Sequence, residues 1–292
     1  MKITILLLFF ASCFLNSCAL DKLFLHPFDL NENSQMTVYS KEYSDTISIE
    51  FNRSQPLFYH SNGEIVNLKY NIESSFIENS NGDSLNTWLI SPKENFNGKL
   101  IYFLHGNAGN ILYQFTLATP FVERGYKVLM IDYSEFGFSE GEATRKNVLQ
   151  DGFDGMDYLI NHPEIERKSI TIYGQSLGGH LSILVANKYQ NKIDGVVAEG
   201  AFSSHSSVAG NRVPILGNIF VRELYSAKKN ISNIKKPILI IHSTEDKTVK
   251  YKHGKKLYKK ANSPKEFYTI DKPHVLGPLY FADSITYKMS QF

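Results

Sequence analysis

Five short apolar runs, Leu100 to Leu104, Val128 to Ile131, Ile170 to Tyr173, Val196 to Ala198 and Ile238 to Ile241, alternate with helix-length segments such as Leu112 to Arg124 and Val148 to Asn161. Runs this short and continuous suit strands buried on both faces, and helices between them bring successive strands into parallel pairing. The pattern therefore predicts an α/β chain with a mostly parallel central sheet flanked by helices. Ahead of it, Ile72 to Glu78 and Leu85 to Ile90 read as N-terminal antiparallel strands, joined through Asn81-Gly82-Asp83, a turn that favours positive φ. Thr46 to Phe51 alternates like one more short strand, and Asn31 to Gln35 reads as a polar tether. A chain of 292 residues with 42% apolar and 21% charged side chains has ordinary globular composition and enough length for a thick core. No internal repeat interrupts the order, and a net charge of +2 gives no argument for a nucleic-acid partner.

Both cysteines, Cys13 and Cys18, fall in the first eighteen residues. The rest of the chain has no thiol for a disulfide, a Cys-based zinc or iron–sulfur site, or a cysteine nucleophile. The start combines one Lys2 charge, the apolar run Ile3 to Phe10 and small residues after it. That is the layout of a secretory signal, and the run is too short to span a bilayer. Leu15-Asn16-Ser17-Cys18 resembles a bacterial lipobox, which implies cleavage after residue 17 and lipidation of Cys18. Cys13 fits less well because Phe10 stands where lipoproteins usually carry Leu. The alternative is an ordinary signal peptide with incidental cysteines. The expected organisation is thus a signal over residues 1–17, a tether and weakly patterned segment over 18–69, and the α/β domain over 70–292. The expected location is a bacterial cell envelope, with the protein exported and held to a membrane by its lipid, or else periplasmic or secreted.

Gly174-Gln175-Ser176-Leu177-Gly178-Gly179 follows one of the predicted strands directly and precedes the apolar helix Leu181 to Tyr189. G-x-S-x-G is a weak signal alone, but strand–turn–helix is the context of a nucleophile elbow. Such a turn presents the Ser176 hydroxyl at the carboxyl edge of the sheet and sets the Leu177 N–H at a helix start, where it can face a developing oxyanion. Leu104-His105-Gly106-Asn107-Ala108-Gly109-Asn110 follows the predicted strand at Leu100, and a loop in this place supplies the second oxyanion donor, assigned to the Asn107 backbone N–H.

These strings resemble the α/β-hydrolase superfamily, in its subgroup of small serine hydrolases bearing an HGNAGN oxyanion motif. Asp132-Tyr133-Ser134-Glu135-Phe136-Gly137-Phe138-Ser139 is similar to the subgroup's D-Y-R-G-Y-G-x-S, with Ser134 and Glu135 replacing Arg-Gly. His242-Ser243-Thr244-Glu245-Asp246-Lys247-Thr248-Val249 is similar to H-G-x-x-D-x-x-V, and the resemblance gives Asp246 the role of triad acid, with Glu245 as competitor. In Asp271-Lys272-Pro273-His274, His274 matches the terminal histidine, although Lys272-Pro273 replaces the usual glycine-bearing turn. The resemblance covers about residue 72 to the C-terminus. It implies a Ser176, Asp246, His274 triad in which His274 takes the serine proton and returns it to the leaving group.

Among the remaining histidines, His105 and His242 follow strands and read as structural, His180 as packed, and His253 as solvated on a Lys-rich helix around Lys250 to Lys260. No H-E-x-x-H, P-loop or G-x-G-x-x-G occurs, so no metal and no cofactor is expected. A small cap is expected at about 202–230, with the apolar string Val213 to Val221 either lining the pocket or simply packing on the sheet. Residues 222–265 hold 13 basic against 3 acidic side chains, which reads as a solvated helix or a face resting on anionic lipid. The expected activity is a serine hydrolase cleaving a carboxylic ester, thioester or amide on a small-molecule or acyl substrate. A serine peptidase of aminopeptidase type and a non-catalytic surface binding protein are the alternatives.

Overall fold

The computed structural model describes residues 21–212 and 223–292, less positions 23, 32, 33, 41, 42, 52 and 54. The expected lipidation site Cys18 and the cap string Val213 to Val221 both lie outside the described residues. Three strands come first: β1 (Gln35–Ser40), β2 (Asp45–Glu50) and β3 (Leu57–Tyr59), paired antiparallel in the order β1-β2-β3. The tether expected at Asn31 to Gln35 therefore gives way to a strand at Gln35. Ile47, Ile49, Phe51 and Phe58 anchor this small sheet by packing with Trp88 and Phe115 in one hydrophobic cluster.

The main sheet holds β4 (Tyr70–Glu78), β5 (Ser84–Pro92), β6 (Lys99–Leu104), β7 (Lys127–Ile131), β8 (Ser169–Gln175), β9 (Gly195–Glu199), β10 (Ile238–Ser243) and β11 (Lys265–Ile270). Their spatial order is β11-β10-β9-β8-β6-β7-β5-β4. β4 and β5 form the expected hairpin, with Glu78 opposite Ser84 across a turn in which Gly82 takes φ +85. β5 pairs antiparallel with β7, and every pairing from β7 through β6, β8, β9 and β10 to β11 is parallel.

Burial follows position in the sheet. β9 and β10 are buried throughout, whereas the edge strand β4 alternates between exposed and half-buried as far as Phe76 and buries only Ile77. Period-two alternation splits β6 between two cores: Leu100, Tyr102 and Leu104 face one layer of helices, and Ile101 and Phe103 the other. The helices are α1 (Ile111–Gln114), α2 (Thr119–Val122), α3 (Arg145–Asn161), α4 (Leu177–Lys188), α5 (His205–Arg212), α6 (Ala227–Asn230), α7 (Lys252–Lys260) and α8 (Gly277–Met289). Residues of α3 and α4 pack in the first cluster, and those of α1, α2 and α8 in the second. The single helix expected over Leu112 to Arg124 is broken into α1, a tight turn at Phe115–Leu117 and α2. Pro120 sits in the first turn of α2, where its missing N–H costs nothing and where it disfavours continuous helix before it.

Candidate active site

β8 ends at Gln175, α4 starts at Leu177, and Ser176 between them takes φ +54 and ψ −109. A serine at positive φ is strained, and the strain is held by close packing around it. The Ser176 N–H donates to the Glu199 carbonyl at 2.9 Å, and the Gly178 N–H to the His105 carbonyl at 3.1 Å. A side chain at residue 178 is excluded, because a Cβ there would stand 1.9 Å from the Leu104 carbonyl oxygen. Leu177 opens the helix, so its N–H has no intrahelical acceptor.

The loop from His105 to Asn110 lies against Ser176: a Cβ built on Gly106 would come 3.6 Å from that of Ser176. Buried Gln114 shapes this loop, a role the sequence did not advertise. Its Oε1 accepts the Gly106 N–H at 3.0 Å, and its Nε2 donates to the Gly106 and Ala108 carbonyls at 3.2 and 2.5 Å. Asn110 caps α1 by accepting from the Tyr113 N–H. The Asp132 to Ser139 string closes the far side, with Asp132 buried and accepting the Ile111 N–H at 2.7 Å. Glu135, standing where the similar segment carries Gly, adopts the glycine-like φ of +68 and accepts the Ala143 N–H at 2.8 Å through its carboxylate.

Asp246 and His274 come from loops after β10 and β11 and meet at 2.6 Å between Oδ2 and Nδ1. The other Asp246 oxygen accepts the N–H groups of Thr248 and Val249 at 2.9 and 2.7 Å. Burial alone pushes the Asp246 carboxyl up, but the His274 hydrogen bond and charge, with the Val249 N–H, outweigh it and hold the group below the usual carboxylate value. Glu245 is exposed, and Asp246 is the one that reaches the imidazole. His274 Nε2 is buried and has no hydrogen-bond partner among the described residues. Val275 follows at φ +54, an uncommon conformation for a β-branched residue.

A buried carboxylate fastens that loop. Glu199, at the end of β9, accepts the Gly277 N–H at 2.7 Å on one oxygen, and the Tyr173 hydroxyl and Gln175 amide at 2.6 and 2.8 Å on the other. Gln175 also donates to the Val275 carbonyl at 2.9 Å. The residue before Ser176 is thereby tied to the residue after His274. Burial raises the Glu199 pKa, opposed by its bonds from Gln175, Tyr173 and Gly277 and by the His274 charge.

His105, His180 and His242 are fully buried, bonded to the carbonyls of Gly106, Phe202 and Val249. His253 departs from the expected solvated position: it is buried, with Nδ1 3.0 Å from the Ser203 hydroxyl, and burial pushes its pKa down to about 4. The lysines of α7 face water while His253, Gly254 and Leu257 face the sheet, so the helix is amphipathic with the histidine on its inner side. Among the described residues no cluster of three or more His, Cys, Asp or Glu could hold a metal ion. No helix among them is long and apolar enough to cross a membrane.

The sheet order, the elbow at the end of its central strand, and residues 113–270 matching the prolyl oligopeptidase family model decide the relationship. The chain belongs to the prolyl oligopeptidase family. It is 31% identical over 210 residues to the uncharacterized protein YfhR of Salmonella typhi, covering 66% of this chain and 71% of that one. It is also 28% identical to the α/β-hydrolase domain-containing protein WAV2 of Arabidopsis thaliana, over 67% of this chain and 68% of the other. Among solved structures, the Pyrococcus furiosus esterase Pf2001 superimposes with a TM-score of 0.63 at 21% identity, covering 76% of this chain and 91% of that one. An esterase domain from a Rhodothermus marinus protein gives 0.57 at 20% identity, over 76% and 98% of the two chains. Those two likenesses establish the α/β-hydrolase fold.

Proposed function

We propose that this protein is a serine hydrolase cleaving a carboxylic ester, thioester or amide through an acyl-enzyme on Ser176. The observation that carries the reading is the 2.6 Å Asp246–His274 contact, in a loop tied through the Gln175–Val275 hydrogen bond to the elbow that holds Ser176 at φ +54. His274 takes the Ser176 proton as Oγ bonds to the acyl carbon, and the imidazolium returns that proton to the leaving group as its bond to carbon breaks. Asp246 fixes the Nδ1–H tautomer and stabilises the imidazolium. The N–H groups of Asn107 and Leu177 receive the oxyanion, and water repeats the sequence to release the acid. The step draws on side chains and backbone alone.

The family description favours amide cleavage in peptides as a second reading. Ester chemistry ranks first on the likeness to the Pyrococcus furiosus esterase Pf2001 and the Rhodothermus marinus esterase domain. A panel of p-nitrophenyl esters of graded chain length, acyl thioesters and aminoacyl amides separates the two. Faster turnover of esters or thioesters supports the first reading, faster turnover of aminoacyl amides supports the second, and inertness toward all three leaves only a binding role.

The lipobox-like Leu15 to Cys18 supports an exported protein anchored by a lipid on Cys18, three residues before Asp21. Three residues span at most about 10 Å, so an anchor there favours acyl substrates delivered at a membrane surface. Mass spectrometry of the mature N-terminus tests this: an acylated Cys18 is expected, and a different cleavage site or an unmodified residue 18 contradicts it.

A further inference from the structure

The segment just after that N-terminal region lies across the oxyanion loop. Pro27 and Gly109 form a parallel bridge, as do Asp29 and Gly137. The Gly137 N–H donates to the Phe28 carbonyl at 3.0 Å, and the Leu30 N–H to the Gly137 carbonyl at 2.8 Å. Asn110 Nδ2 donates to the Phe28 carbonyl at 3.0 Å, and the Phe28 ring packs edge-on against Tyr113. Leu25 is buried in the same cluster as Leu104 and Leu177. The start of the segment is pinned by a buried ion pair, Asp21 Oδ1 to Arg145 Nε at 2.5 Å, with the guanidinium also over the Phe24 ring. Burying two charges is costly unless they pair closely, so this fastening is specific.

The decisive contact is at Asn107. Its Oδ1 accepts the His26 N–H at 3.0 Å, and its Nδ2 donates to the Phe24 carbonyl at 2.9 Å. Both functions of the amide are thus taken by backbone more than eighty residues away in sequence. An Asn side chain held at both ends fixes the peptide plane beside it, and here that plane carries the N–H assigned to the oxyanion.

We infer that residues 24–30, pinned through Asp21, are a working part of the active site: a strap whose Phe24 and His26 backbone groups position Asn107, so that the oxyanion hole is complete only while the strap is docked. Asn107 supplies the donor, and the strap is the positioning element that acts through it. The inference rests on the serine-hydrolase reading above.

The test uses the full-length chain and a p-nitrophenyl ester. Asn107→Ala keeps the backbone N–H but removes both strap bonds, and kcat is expected to fall about 10- to 100-fold with KM changed less than about threefold. That is smaller than the 10²- to 10³-fold cost of deleting an oxyanion donor outright. The double substitution Asp21→Asn with Arg145→Met releases the strap without stranding a charge and should give a similar fall. Because both changes act through one contact, combining them should add no more than about threefold. Thermal unfolding of each variant supplies the folded fraction used to normalise kcat. Wild-type kcat in folded Asn107→Ala, or losses that multiply in the combined variant, would overturn the inference. Absence of wild-type turnover and of serine-directed labelling is the separate signature of failure of the underlying reading.

Discussion

At the scale of single residues, the roles that emerge from the geometry divide by how far their partners lie in sequence. Ser176, Asp246 and His274 could be singled out as candidates because each follows a strand within a short string, and the elbow is a local event. Glu199 was not: its carboxylate is defined by Tyr173, Gln175 and Gly277, contacts that span up to 78 residues. Gln114 was hidden for the same reason, since a polar residue in a helical segment looks like any solvated side chain until the loop beside it is placed. Glu199 also shows what a buried carboxylate can do when both of its oxygens accept hydrogen bonds. Glu199→Gln replaces an acceptor facing three donors with an amide that donates into them, which should cost about 1–3 kcal/mol in urea unfolding. Because the Val275 to Gly277 backbone loosens with it, kcat should fall as well. Unchanged unfolding and unchanged kcat together would show that this carboxylate does not hold the histidine loop.

At the scale of elements, periodicity placed the strands of the main sheet within a residue or two, because buried parallel strands are continuous apolar runs. It failed where polar composition and tertiary packing compete. The expected strand at Thr46 to Phe51 is β2, but its partners β1 and β3 carry too few apolar side chains to signal themselves, and α7 turns a histidine inward beneath a lysine-covered surface. The junction of α3 with the loop at Ser134 shows the electrostatic cost of such packing. Asp151 on α3 accepts the Ser134 N–H and hydroxyl, both at 2.8 Å, and the Asn79 amide at 3.0 Å. Burial still pushes its pKa up to about 6. Folding therefore raises this group's proton affinity, so its contribution is most favourable below the unfolded value near 4 and declines as pH rises to about 6. Asp151→Asn cannot titrate, and the stability of wild type relative to this variant should fall by on the order of 3 kcal/mol across that window. Parallel pH curves for the two proteins would contradict the assignment.

At the scale of the whole molecule, the sheet order carries β8, the strand that leads into Ser176, to the middle, with β6 on one side and β9 on the other. The loop after β6, the elbow after β8, the Glu199–Gly200 end of β9 and the Asp246 loop after β10 consequently converge at one edge. Gly200, at φ +57, leaves room for the imidazole, since a Cβ there would stand 2.9 Å from His274 Cε1. This convergence was legible from the alternation of strands and helices. The docking of residues 24–30 across the same edge was not, because its contacts are mostly backbone and leave no side-chain pattern. All of it serves one claim, that Ser176 is the nucleophile of an acyl-transfer site. The most direct measurement is labelling with a fluorophosphonate probe followed by peptide mapping. A single adduct on Ser176, absent from Ser176→Ala, is the predicted result; equal labelling of that variant, or an adduct on another serine, would contradict it.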